Sequence, residues 1–155
     1  MSLSKNFPPV MSLYHSTVPP FILFLRNLHA ILTKAQAHAS SQGIPESYYL
    51  NARLFPDMHG LISQIQRVSD ISRLAVRRIG DLQLSPMEDN ETNINEMKER
   101  LEKTIKVLED VKEEDLAGKD EKEVDVYLPA KKVTWKPKVS GPTFMRGRPC
   151  VGEAS

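Results

Sequence analysis

Cysteine is almost absent from this chain: Cys150 stands alone among 155 residues. A lone cysteine forms no internal disulfide and suits a reducing compartment, so the expectation is a cytoplasmic protein. Long apolar runs are also missing. The amino-terminal region has one, Phe21 to Leu25, five residues long, behind Pro19-Pro20 and ended by Arg26. That is too short for a membrane span and wrongly flanked for a signal peptide. Asn90-Glu91-Thr92 therefore reads as a chance match to a glycosylation acceptor.

Several chemistries lack their residues. No Gly-x-Ser-x-Gly elbow and no glycine-rich phosphate loop occurs, and Cys150 has no held base beside it. The four histidines, His15, His29, His38 and His59, show neither His-x-x-x-His nor His-Glu-x-x-His spacing. A catalytic zinc needs three converging ligands. The expectation is no metal, no cofactor and no catalytic residue.

What is present is helical periodicity. Phe21, Phe24, Leu25, Leu28, Ile31, Leu32, Ala35 and Ala39 recur mostly at three- and four-residue steps, predicting a helix from about Pro19 to Ser41, entered through Thr17 and closed by Gly43. A second helix is expected from Pro56 to Ile79 with Met58, Leu61, Ile62, Ile65, Val68, Ile71, Ala75 and Ile79 inward. Pro56 suits a first helical turn and Asp57 the positive end of the helix dipole. A third helix spans about Ile94 to Val111, capped by Asn93 with Glu96 three residues on. Its surface carries Glu96→Arg100, Glu99→Lys103 and Glu102→Lys106 at the spacing of stabilising pairs. Period-two alternation around Val124, Val126, Leu128, Val133 and Trp135 then predicts a small hairpin over about 123–136. Proline and glycine crowd the remainder. The organisation expected is an irregular arm over 1–16, a helical domain over 17–135, and a disordered tail over 137–155.

Charge is segregated. Residues 1–86 carry +4, residues 87–125 carry −8, and residues 126–155 carry +5. Arg67, Arg73, Arg77 and Arg78 make the second helix basic. The connector from Asp81 to Thr92 is too long for a helix-turn-helix, and the acidic middle repels phosphates. Nucleic acid is thus disfavoured as a partner. One polar group is a candidate site: Asp57 and Gln64 fall seven residues apart on one expected face, with Arg53 and Tyr14 as local partners. It reads as a structural clamp or as the rim of a pocket.

Leu13-Tyr14 through Val18-Pro19, the Leu28 to Ala39 helix, Leu50-Asn51-Ala52-Arg53-Leu54 with Pro56-Asp57-Met58, Gln64, Glu91-Thr92, Leu101 to Leu108 and Val124 to Pro129 together resemble domain-of-unknown-function family nineteen-ninety-three. That family belongs to the DinB-like group of four-helix bundles, and the resemblance covers roughly residues 11–135. It implies an all-α, DinB-like up-down bundle, here three long helices plus a hairpin. Family members follow the hairpin with a fourth, histidine-containing helix, and DinB-like metal ligands include late histidines. This chain departs from that pattern at Lys136. An open groove is then expected between the first and third long helices, near Phe21, Leu28, Met97 and Leu101, favouring self-association or a partner helix. The alternatives are a metal- or thiol-dependent small-molecule enzyme with Arg53, Asp57 and Gln64 at a residual pocket, and a DNA-binding protein.

Overall fold

The structure is a computed structural model that describes residues 12–124 and the strands Val126–Leu128 and Val133–Trp135. The expected tail, Cys150 and residues 1–11 of the expected arm lie outside the described residues.

Helix α1 runs Leu13–Gln42. Ser12 caps it by accepting the His15 amide at 3.3 Å. The helix thus starts well before Thr17, and residues 13–16 are not an irregular arm. Pro19 and Pro20 lie inside it, where each removes one backbone donor and sets its ring against the carbonyl four residues back. At its far end Gly43 takes a left-handed conformation (φ 63°), and the Ile44 amide turns back onto the Ala39 carbonyl at 2.9 Å. The short α2, Glu46–Leu50, follows.

Helix α3 is Leu61–Gly80. Pro56 and Asp57 do not open it; they sit in a turn in which the Met58 amide donates to the Phe55 carbonyl at 3.0 Å. Gly80 is its last residue, and Asp81, with φ 57°, makes the left-handed exit. A Cβ on Gly80 would stand 2.9 Å from Leu82 Cγ and 3.4 Å from Leu116 Cδ2, so close packing rather than the exit demands glycine here. Two ammonium groups close this helix: Lys119 donates to the Gly80 carbonyl at 2.7 Å and Lys122 to the Arg78 carbonyl at 2.7 Å. Cations at a helix carboxyl end are stabilising.

Helix α4, Ile94–Glu109, starts at Asn93, whose side chain accepts the Glu96 amide at 2.9 Å. The Glu96 carboxylate reaches back to the Thr92 amide at 2.6 Å. A short α5, Glu113–Leu116, precedes strands β1 (Val126–Leu128) and β2 (Val133–Trp135). The strands pair antiparallel, Tyr127 opposite Thr134.

Helix direction departs from a simple up-down bundle. Arg26 pairs with Glu109, His29 with Glu102, and Gln36 with Lys98, so α1 and α4 are antiparallel. Ser69 meets Thr104, while Gly80 packs near Leu116 beyond the end of α4, so α3 and α4 are parallel. Parallel neighbours need a return connection, and the segment 81–93 supplies it along the flank of α3.

Both α1 and α3 pack on α4 and barely touch each other. The α1 row facing the core is Val18, Leu25, Leu32 and Ala39, every seventh residue. Helix α4 contributes Ile94, Met97, Leu101 and Leu108, all fully buried. On α3 the inward row is Ile65, Ser69, Ser72, Val76 and Ile79. The expected α3 stripe is therefore rotated: Ile71 is 63% exposed, and small serines take the close approach to α4.

Candidate functional site

Residues 51–60 fold as a loop between α2 and α3 because Pro56 and Gly60 interrupt any helix there. Arg53 crosses the loop and donates to the Met58 carbonyl at 2.8 Å. Gln64, in the first turn of α3, donates to the His59 carbonyl at 3.4 Å, and Arg67 donates to His59 Nε2 at 2.7 Å. These bonds hold a cavity of about 450 Å³ whose lining includes Tyr49, Arg53, Leu54, Met58, Leu61 and Gln64. Of the four candidate residues, the structure brings Arg53 and Gln64 to this one wall. Asp57 is exposed in the turn, not on the Gln64 face, and caps nothing. Tyr14 stands at the opposite end of α1, beside Glu113 and Leu116, too far away to clamp Arg53. The four-residue clamp is corrected accordingly: residues 51–60 form a loop rather than a helix start, and that loop carries Asp57 away from Gln64.

A second feature lies along the helices. The groove does not fall between α1 and α4, since Met97 and Leu101 are fully buried there. It falls between α1 and α3. Phe24 and Ile31 precede Leu25 and Leu32 by one residue each, and Val68 and Ile71 precede Ser69 and Ser72 in the same way. One residue rotates the side chain by about 100°. Arg26, His29 and Gln36 mark the α4 side of α1, and Ser69 and Asp70 the α4 side of α3. The two exposed rows fall on the other side of each inward row, so both turn toward the corner away from α4. Phe24 is 66% and Ile31 60% exposed, and Val68 and Ile71 share the opposite wall. The sequence signal for this was present: five consecutive apolar residues, Phe21 to Leu25, cover every face of a helix, more than one neighbour can bury.

A third feature escaped sequence reasoning. Arg100, expected on the surface beside Glu96, is buried instead. Its guanidinium bonds Glu91 at 2.8 Å, Asp70 at 2.9 Å and Asp89 at 2.9 Å, and it donates to the Glu88 carbonyl at 2.8 Å. Burial pushes the Glu91 carboxyl up, but hydrogen bonds from Gln66 and Arg100 outweigh it and hold the group below its ordinary range. Burial likewise opposes the charge on Arg100, and Glu91, Asp70 and Asp89 overcome that and raise its pKa. The signal was positional: position 100 adjoins Met97, Leu101 and Thr104 on the inward face.

The described histidines stay apart. His15 meets Ser12 and Glu113, His29 meets Glu102, His38 meets Tyr49, and His59 meets Arg67. Among the described residues no three His, Cys, Asp or Glu side chains converge as a metal site requires. No described helix is long and apolar enough to cross a membrane.

The architecture is that of a mainly helical bundle. Residues 13–144 match the family model for a domain of unknown function, DUF1993. The chain belongs to that family. The match continues past Lys136, so the change of composition there does not mark its limit. The crystal structure of a DinB family member protein from Shewanella denitrificans is similar, with 29% identity and a TM-score of 0.70, covering 80% of this chain and 70% of that one. No curated protein matches.

Proposed function

We propose that this protein is a helical binding module whose open groove between α1 and α3 holds an acidic amphipathic helix of a partner. The observation that carries the reading is the pair of exposed apolar rows, Phe24 with Ile31 and Val68 with Ile71. Patches of this kind on a soluble domain mark association sites, and a helix laid in a groove reads such rows at three- and four-residue spacing. Charge selects the occupant. Helix α1 has no acidic residue; Arg26 is taken by Glu109, and Arg73 and Arg77 lie on the other flank of α3. That leaves Lys34, Arg67 and Arg78 as exposed cations on the two helices, with the one acid, Asp70, held by Arg100. A second copy docking groove to groove would set these basic helices against each other, whereas an acidic helix is steered in and oriented.

The test is fluorescence anisotropy of two labelled model peptides with the same apolar stripe, one edged with glutamate and one with lysine. The glutamate peptide should bind, weaken with salt, and lose at least tenfold in affinity to Ile31→Glu and Ile71→Glu variants. Equal binding of both peptides, or of neither, overturns the reading, as does a dimer that closes the groove.

A second reading rests on the loop cavity. Its volume of about 450 Å³ and its apolar lining suit a small molecule, with Arg53 and Gln64 as the polar groups that would orient it. This is the site at which a DinB-like small-molecule activity would act. Arg53→Ala should then abolish saturable ligand binding while lowering the midpoint of thermal unfolding no more than the loss of one exposed hydrogen bond does.

A further inference from the structure

Among the described residues two arginines are buried, and their charges are met differently. Arg100 holds three carboxylates. Arg73, on the flank of α3 that faces the return connection, is 8% exposed and has none among the described residues within ion-pair distance. Its Nη2 donates to the Ser85 carbonyl, and its Nε, like that of Arg100, is buried without a hydrogen-bond partner among the described residues; what sets Arg73 apart is the missing carboxylate. A buried guanidinium with no counter-charge is costly, because the interior screens it poorly and nothing replaces its hydration. Arg73 also lines a cavity of about 210 Å³, together with Asp70, Leu74, Arg77, Leu84, Ser85, Pro86 and Met87. Leu74, Leu84, Pro86 and Met87 make its walls apolar, which strengthens any charge interaction inside it. Arg77, one turn on from Arg73, brings a second guanidinium to its exposed rim. The one acid present, Asp70, is already held by Arg100 at 2.9 Å.

We propose that this cavity between α3 and the Leu82–Met87 stretch is a binding site for a compact oxyanion, a phosphate or carboxylate group that supplies the counter-charge Arg73 lacks. Arginine's planar fork suits both groups, since each presents two oxygens at matching spacing. The cavity admits a small anion or the charged end of a longer molecule. It lies on the opposite flank of α3 from the apolar groove, so the two sites stand or fall separately.

The full chain is titrated with inorganic phosphate, with succinate and with chloride at constant ionic strength, followed by calorimetry and by thermal unfolding. Phosphate or succinate should bind saturably and raise the unfolding midpoint, and whichever does so names the class of ligand; chloride should not. Arg77→Gln, at an exposed position, should leave the unliganded midpoint unchanged and weaken the anion at least tenfold. Arg73→Gln should abolish binding if it folds, and Arg77→Gln decides the matter if it does not. The absence of saturable binding, an equal response to chloride, or an Arg77→Gln variant that binds like the native chain overturns the proposal.

Discussion

Arg100 shows how much a single residue organises here. Its guanidinium ties α4 to Asp70 on α3 and to Asp89 and Glu91 in the return connection. Glu91 titrates below its ordinary value of 4.5 in the folded chain. Its contribution to stability is therefore fully present above the ordinary carboxylate range and is lost as pH falls through the lower, folded value. Denaturant unfolding between pH 7 and pH 3 should show that loss, and Glu91→Gln should flatten it. At pH 7 the same substitution should cost about 2 kcal/mol, because Arg100 keeps two of its three carboxylates and the Glu88 carbonyl. Asp57→Ala, in contrast, should change stability by less than about 0.5 kcal/mol, since its exposed side chain bonds nothing among the described residues. Sequence made both residues visible and misread both. An arginine four residues from a glutamate looks like a surface pair, and a proline followed by an aspartate looks like a helix start. Burial decides the first and the loop path the second, and neither is a local property.

Among the elements, caps were the legible part. Asn93 and Gly43 end their helices as their chemistry predicts, because a side-chain acceptor and a left-handed glycine act within one turn. Asn93→Ala should cost about 1 kcal/mol by thermal or denaturant unfolding. Helix α1 was harder. Proline residues inside it hid its true start, since the signal of Pro19-Pro20 outweighed the weaker cap at Ser12. Helix α3 was readable in its period but not in its rotation: Ser69 and Ser72 face α4, with Ser69 hydrogen-bonded to Thr104 at 2.5 Å, while Ile71 faces out. Small polar residues let the two backbones approach, a preference that hydropathy alone does not reveal. The candidate site shared this fate, with Arg53 and Gln64 meeting at one cavity while Tyr14 and Asp57 did not.

At the scale of the whole molecule, the decisive facts are the parallel course of α3 and α4 and the scant contact of α1 with α3. They leave a corner with apolar walls on two helices. The mainly helical class and the family were legible in the sequence; the location of the open face was not, because it depends on which helices are neighbours. The account turns on Phe24, Ile31 and Ile71 facing solvent, and the most direct check is denaturant unfolding of their glutamine variants beside Leu32→Ala. Leu32 is 2% exposed, and truncating it should cost about 2–5 kcal/mol. Phe24→Gln, Ile31→Gln and Ile71→Gln should each stay within about 0.5 kcal/mol of the native chain. A loss of about 2 kcal/mol or more at those three positions would mean that another part of the chain covers the groove, and the account would be wrong.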